Sequence, residues 1–191
     1  MHRRMACFTW VVLALAFSAA PVDAWEKISV PVPAGWHFQF NESRGDLKAK
    51  VYLPQGQTVL NHTESLWIWT FLGANEQKPE AVLRAFVKTL NQCPSIVLKE
   101  SRPFKDRGYE AVYATGYMPS INTCYDPPPL TADKGEVARF KFLRGNDNAY
   151  IIIRAWRAEP FKKQELAKVP RSIQDGWDRY FEEVYLYEST P

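Results

Sequence analysis

Between Gly135 and Glu159 the chain reads GEVARFKFLRGNDNAYIIIRAWRAE, and no other stretch narrows the choice of fold as far. Two apolar-rich runs flank Gly145-Asn146-Asp147-Asn148, a cluster that tolerates positive φ and hydrogen-bonds its own backbone. The pattern predicts a long β-hairpin. In the first strand Ala138, Phe140 and Phe142 share one face, with Val137, Arg139 and Lys141 on the other. In the second, Ile151, Ile153 and Ala155 oppose Tyr150, Ile152, Arg154 and Trp156. A strand that is apolar on both faces belongs in the middle of a sheet covered on both sides.

The rest of the chain supplies elements to build around it. Ile28-Ser-Val-Pro-Val reads as an edge strand or lead-in, because Pro31 and Pro33 donate nothing to a ladder. Trp36 to Phe40 alternates, putting Trp36, Phe38 and Phe40 on one face and His37 and Gln39 on the other. Leu47 to Leu53 alternates again, with Lys48 and Lys50 outward. Ser65 to Leu72 carries Trp67, Trp69 and Phe71 on one face and Leu66, Ile68 and Leu72 on the other. Pro79 suits the first turn of a helix running to Asn91, with Val82, Phe86 and Leu90 in line. Strands are expected over Ser95–Glu100 and Gly108–Tyr117, with Pro103–Arg107 as their connection. Met118–Lys134 is the longest irregular segment, Phe161–Lys168 a candidate short helix, and Pro170 opens a closing helix. From Leu186 the tail is expected to fray.

Four strands, a helix, four strands and a terminal helix describe an α+β fold. The expectation is a single antiparallel β-sheet of about six to eight strands with helices on its faces, an α/β sandwich. The order resembles the PsbP/Mog1-like group of α/β sandwiches. The residues that carry the resemblance are the Pro33-Ala34-Gly35-Trp36 turn, the Trp67-Ile68-Trp69-Thr70 strand, the Pro79 helix, and the closing helix with Trp177 and Tyr180-Phe181. The resemblance implies an accessory or binding protein, since members of that group are mostly not enzymes. It carries over no site residue.

Residues 1–24 have the layout of a secretory signal peptide: Arg3 and Arg4, an apolar run from Phe8 to Ala20, and small residues before Trp25. The competing reading, a membrane anchor, needs about 20 apolar residues. Residues 25–191 then form one α+β domain, periplasmic or secreted, with no membrane span after cleavage. Without Arg3, Arg4 and Asp23 the formal charge falls from +3 to +2. That is too mild to point to nucleic acid. Cys93 and Cys124 remain after cleavage. In an oxidising compartment two cysteines predict a disulfide; the alternatives, a redox or metal pair, lack CxxC spacing.

Sites with chemistry are sparse. There is no GxSxG, HExxH, GxGxxG or GxxxxGK[ST] in the sequence. His37 and His62 are too far apart in sequence for a recognisable zinc motif. No catalytic residue, metal or cofactor is assigned. Arg154 stands out as a cation inside an apolar strand. Either it forms a structural ion pair, with Glu110 or Glu136, or it anchors a carboxylate or phosphate beside an aromatic wall. The second reading makes Arg154, Trp156 and Tyr125 a candidate binding site, where the long loop meets the hairpin.

The expected function is an exported, non-enzymatic binding or accessory protein with a protein partner in the cell envelope. The alternatives are an immunity or inhibitor protein against a secreted toxin and, behind it, an unrecognised hydrolase.

Overall fold

The structure, a computed structural model, describes residues 25–89, 97–100, 103–120, 133–162 and 168–189. The strands are β1 (Trp25–Ser29), β2 (Trp36–Arg44), β3 (Leu47–Pro54), β4 (Glu64–Leu72), β5 (Val97–Glu100), β6 (Phe104–Asp106), β7 (Tyr109–Met118), β8 (Gly135–Arg144), β9 (Asn148–Ala158) and β10 (Tyr185–Ser189). The helices are α1 (Pro79–Thr89) and α2 (Arg171–Glu182). The α+β architecture is as expected, with one correction. Among the described residues there are two sheets: an eight-stranded sheet ordered β2-β3-β4-β9-β8-β7-β5, with β6 also on β7, and a ribbon of β1 and β10.

The hairpin of β8 and β9 runs from Gly135↔Ala158 to Arg144↔Ala149 and lies inside the large sheet, with β4 on its other side. Its turn closes by a Gly145 N–H to Asn148 carbonyl bond of 2.8 Å. The expected positive φ is not used at Gly145. A Cβ on Gly145 would overlap the Glu26 carboxylate, which accepts from the Asn146 backbone N–H and from the Tyr150 hydroxyl. Glu26 thus ties β1 to the hairpin tip.

Each face of the large sheet has its own core. On one side α1 packs chiefly over β7, β8 and β9, placing Val82, Leu83 and Phe86 against Val112, Phe140, Phe142, Ile151 and Ile153. On the other, α2 and Leu186 of the ribbon bury Trp177, Tyr180 and Phe181 against Leu66, Val137, Leu143, Tyr150 and Ile152. The alternation read along β9 therefore sorts its residues onto the two cores.

One local alternative is decided and two further expectations change. Of the two readings of the Pro31–Pro33 segment the lead-in is the one seen: the chain leaves β1 at Ser29, and Pro31 and Pro33 form the crossing to β2. The tail does not fray at Leu186: Tyr185–Ser189 is a strand held by β1. The connection Pro103–Arg107 contains β6, which turns through Arg107 (φ 50) and Gly108 (φ 93) into β7. Two left-handed residues in a two-residue loop match the right-handed twist of the hairpin.

Strand β2 carries a bulge. Phe38 pairs with Tyr52 and Phe40 with Val51, so Gln39 is extra and the alternation breaks there. Trp36 and Phe38 stay on the α2 side, and Phe40 turns to the α1 side, edge-on to Trp67 with ring centres 6.0 Å apart.

No helix among the described residues is long and apolar enough to cross a membrane.

Candidate binding site

Arg154 lies on the α2 side of β9 and is 8% exposed. Its Nη2 donates to Glu64 Oε2 at 3.0 Å. The guanidinium carbon sits 4.6 Å from the centre of the Trp36 ring and 4.8 Å from that of Tyr180. A planar cation between two aromatic faces gains from both quadrupoles. Its carboxylate partner is neither Glu110 nor Glu136. Glu110 pairs with Lys105 and Arg144, and Glu136 lies 3.8 Å from Arg157 Nε. Burial raises the Glu136 pKa above its ordinary value, and Arg157 works against that rise.

Trp156 shares the face of Arg154 and is half-buried against the α2 core. In the ladder it stands opposite Glu64. The aromatic wall around Arg154 is made by Trp36 and Tyr180. Tyr125 lies outside the described residues, as do Cys93, Cys124, residues 1–24 and most of the candidate short helix at 161–168.

A cavity of about 560 Å³ opens beside Arg154, between α2 and the Pro31–Ala34 crossing. Burial pushes the Tyr180 hydroxyl pKa up, and the Arg154 charge opposes the shift. Tyr180 is therefore a neutral donor at any ordinary pH.

The opposite face of the sheet holds a different feature. Phe40, Trp67, Trp69, Phe86 and Phe140 form a continuous run of ring contacts from the β2 edge to β8. Trp67 and Trp69 stack at 6.0 Å with planes 7° apart. Two residues apart on one strand, they share a face, and the bulge adds Phe40 to the row.

Because α1 covers mainly β7–β9, a groove of about 470 Å³ remains between it and β2–β4. Trp69, Phe71, Val82 and Phe86 make its apolar wall, with exposed Glu42 and Arg44 at one rim. Trp69, which lines this wall, keeps its buried Nε1–H without a hydrogen-bond partner. Size, apolar lining and a few polar groups are the usual makeup of a binding site. Among the described residues no group of three His, Cys, Asp or Glu side chains is placed to hold a metal.

No protein-family model matches the chain, and no curated protein sequence gives a significant match. Among solved structures it is similar to the Ran-binding protein Mog1p of Saccharomyces cerevisiae. The TM-score is 0.51 at 13% identity, over 86% of this chain and 95% of that one. A point mutant of protein Mog1 gives a TM-score of 0.49 at 12% identity, over 83% and 89% of the two chains. LpqN, involved in cell envelope biogenesis of Mycobacterium tuberculosis, gives 0.44 at 16% identity, over 91% and 88%. At such identities the likeness is one of fold: the architecture is Mog1/PsbP-like, and function has to be argued from the site.

Proposed function

We propose that this chain is a non-enzymatic binding or accessory protein, exported to the periplasm after removal of residues 1–24, that grips a protein partner of the cell envelope. The observation that carries the reading is the aromatic row Phe40–Trp67–Trp69–Phe86 beside an open groove. Aromatic anchors seated in a pocket contribute the largest share of binding energy at protein interfaces, often about 2 kcal/mol or more each. The groove receives one apolar side chain of the partner, and Glu42 and Arg44 meet polar groups around it.

The test uses Ala85, an exposed α1 residue that lines the groove. Ala85→Trp fills the groove from the helix side and changes no residue of the sheet. Wild-type protein is expected to capture a defined envelope protein from periplasmic extract. Ala85→Trp is expected to lose it while melting within a degree or two of wild type. Equal capture by both proteins overturns the reading. Capture of a secreted toxin would instead favour the inhibitor alternative.

A further inference from the structure

Three residues that line the cavity beside Arg154 each carry a buried polar group that the fold does not use. Arg154 Nε–H, Trp177 Nε1–H and the Tyr180 hydroxyl have no hydrogen-bond partner. All three residues line the cavity, and they are only 8%, 2% and 9% exposed. The arginine and tryptophan groups can only donate. Folded cores rarely leave donors of this kind unpaired. Three of them around one cavity call for an acceptor, and a cationic donor favours a charged one.

Gly176 is the second observation. It sits mid-helix in α2 and lines the same cavity. Its φ is not positive, so no backbone conformation requires glycine. A Cβ there would meet nothing within 4 Å, so no packing contact requires it either. Glycine weakens a helix interior relative to alanine. What it does here is leave the cavity open. Around that space lie Pro31, Val32, Ile173 and the Trp177 ring, an apolar wall next to the donors. Glu64 also faces the cavity but is committed to Arg154, and Arg179 and Glu183 stand exposed at its mouth.

We propose that this cavity binds a small carboxylate on an apolar body, the carboxylate accepting from Arg154 and Tyr180 and the body lying over Gly176. The site is on the opposite face of the sheet from the groove and does not depend on it.

Benzoate is the probe and benzamide, its neutral isostere, the control. Two readouts apply to the intact protein: melting temperature, and the indole N–H resonance of Trp177. Millimolar benzoate is expected to raise the first and shift the second, with benzamide at least about tenfold weaker. Gly176→Leu fills the space and is expected to abolish both responses without lowering its own melting temperature. Tyr180→Phe removes one donor and is expected to weaken benzoate by about tenfold. If Gly176→Leu fails to fold, Tyr180→Phe still decides. The proposal is overturned if benzoate has no effect, which would leave ordered water as the acceptor. It is equally overturned if benzamide or matched chloride acts as well, or if the folded variants bind benzoate like wild type.

Discussion

The ammonium of Lys141 donates to the carbonyl oxygen of Phe181 at 2.8 Å, joining the middle of β8 to the last turn of α2. It also donates to Val184 O at 2.5 Å and forms an ion pair with Asp106 Oδ2 at 2.5 Å. A cation at a helix C-terminus is favourable by charge, and these carbonyls lack intrahelical partners. Lys141 is 1% exposed, and burial lowers its pKa from the ordinary value while Asp106 opposes the shift. Lys141→Met is expected to destabilise by about 3 kcal/mol, because two carbonyls and a carboxylate lose their partner. Urea unfolding at neutral pH measures it; a loss under about 1 kcal/mol would show that the lysine does not lock the helix.

Arg154 tests the geometry of a stacked cation. Arg154→Lys keeps the charge opposite Glu64 but replaces the flat guanidinium between Trp36 and Tyr180. A loss of about 1–2 kcal/mol is expected. Arg154→Ala should cost more, since Glu64 loses its partner. Identical stabilities for the lysine variant and wild type would mean that charge alone matters.

His62 predicts an acid-sensitive step. It is 5% exposed, and Nδ1 lies 3.2 Å from Thr58 O. Burial, with the nearby Arg157 charge, lowers its pKa from 6.5 to about 4. Between those values the unfolded chain holds the proton and the folded chain does not. Stability is therefore complete above pH 6.5, falls as pH drops, and levels off below about 4. The loss is up to about 3 kcal/mol. His62→Gln should remove this part of the pH dependence; parallel stability curves for the two proteins would contradict it.

The bulge makes a prediction about chain length. Gln39 is the unpaired residue between two registers that already suit each other. Deleting Gln39 should leave Phe38 opposite Tyr52 and Phe40 beside Trp67, with stability changed by about 1 kcal/mol or less. Deleting Glu42, which is paired with Ala49, shifts the register of Ser43 and Arg44 against β3 and should cost far more. Near-ultraviolet circular dichroism of the Trp67 environment, with melting curves, separates the two variants.

If residues 1–24 direct export, Cys93 and Cys124 are expected to be bonded in the mature protein. A closed loop of about 30 residues corresponds to roughly 3–4 kcal/mol in the chain-entropy model. Thiol titration of the native, unreduced protein should find none free. Two reactive thiols would exclude the bridge.

The centre of the fold was legible because β9 is apolar on both faces, a local pattern that needs no partner to be read. Arg154 was visible for the same reason, as a cation in that run. Its partner was not. The Glu64–Arg154 pair depends on the β4–β9 register, which joins residues 90 positions apart. The bulge was hidden because His37-Phe38-Gln39-Phe40 alternates well, and only pairing with β3 shows that Gln39 has no partner. The ribbon was missed for a related cause. Tyr185–Ser189 is short, and what makes it a strand is β1, from the other end of the chain. The groove is likewise a property of where α1 sits, which its own amphipathic stripe does not specify.

The ribbon also sets how tension would travel through the molecule. Trp25 stands beside Ser189 and Ser29 beside Tyr185, so the outer rung joins the flanks of the two strands. A pull on those flanks opens the ladder one rung at a time, because each hydrogen bond carries the load alone before the next one feels it. The α2 core is reached at the fourth rung, Ile28 with Leu186. Glu26, on the second rung, grips the hairpin tip and adds a catch before that point. The outer rungs of the ribbon are a mechanical fuse, parting before the α2 core that Ile28 and Leu186 help to build.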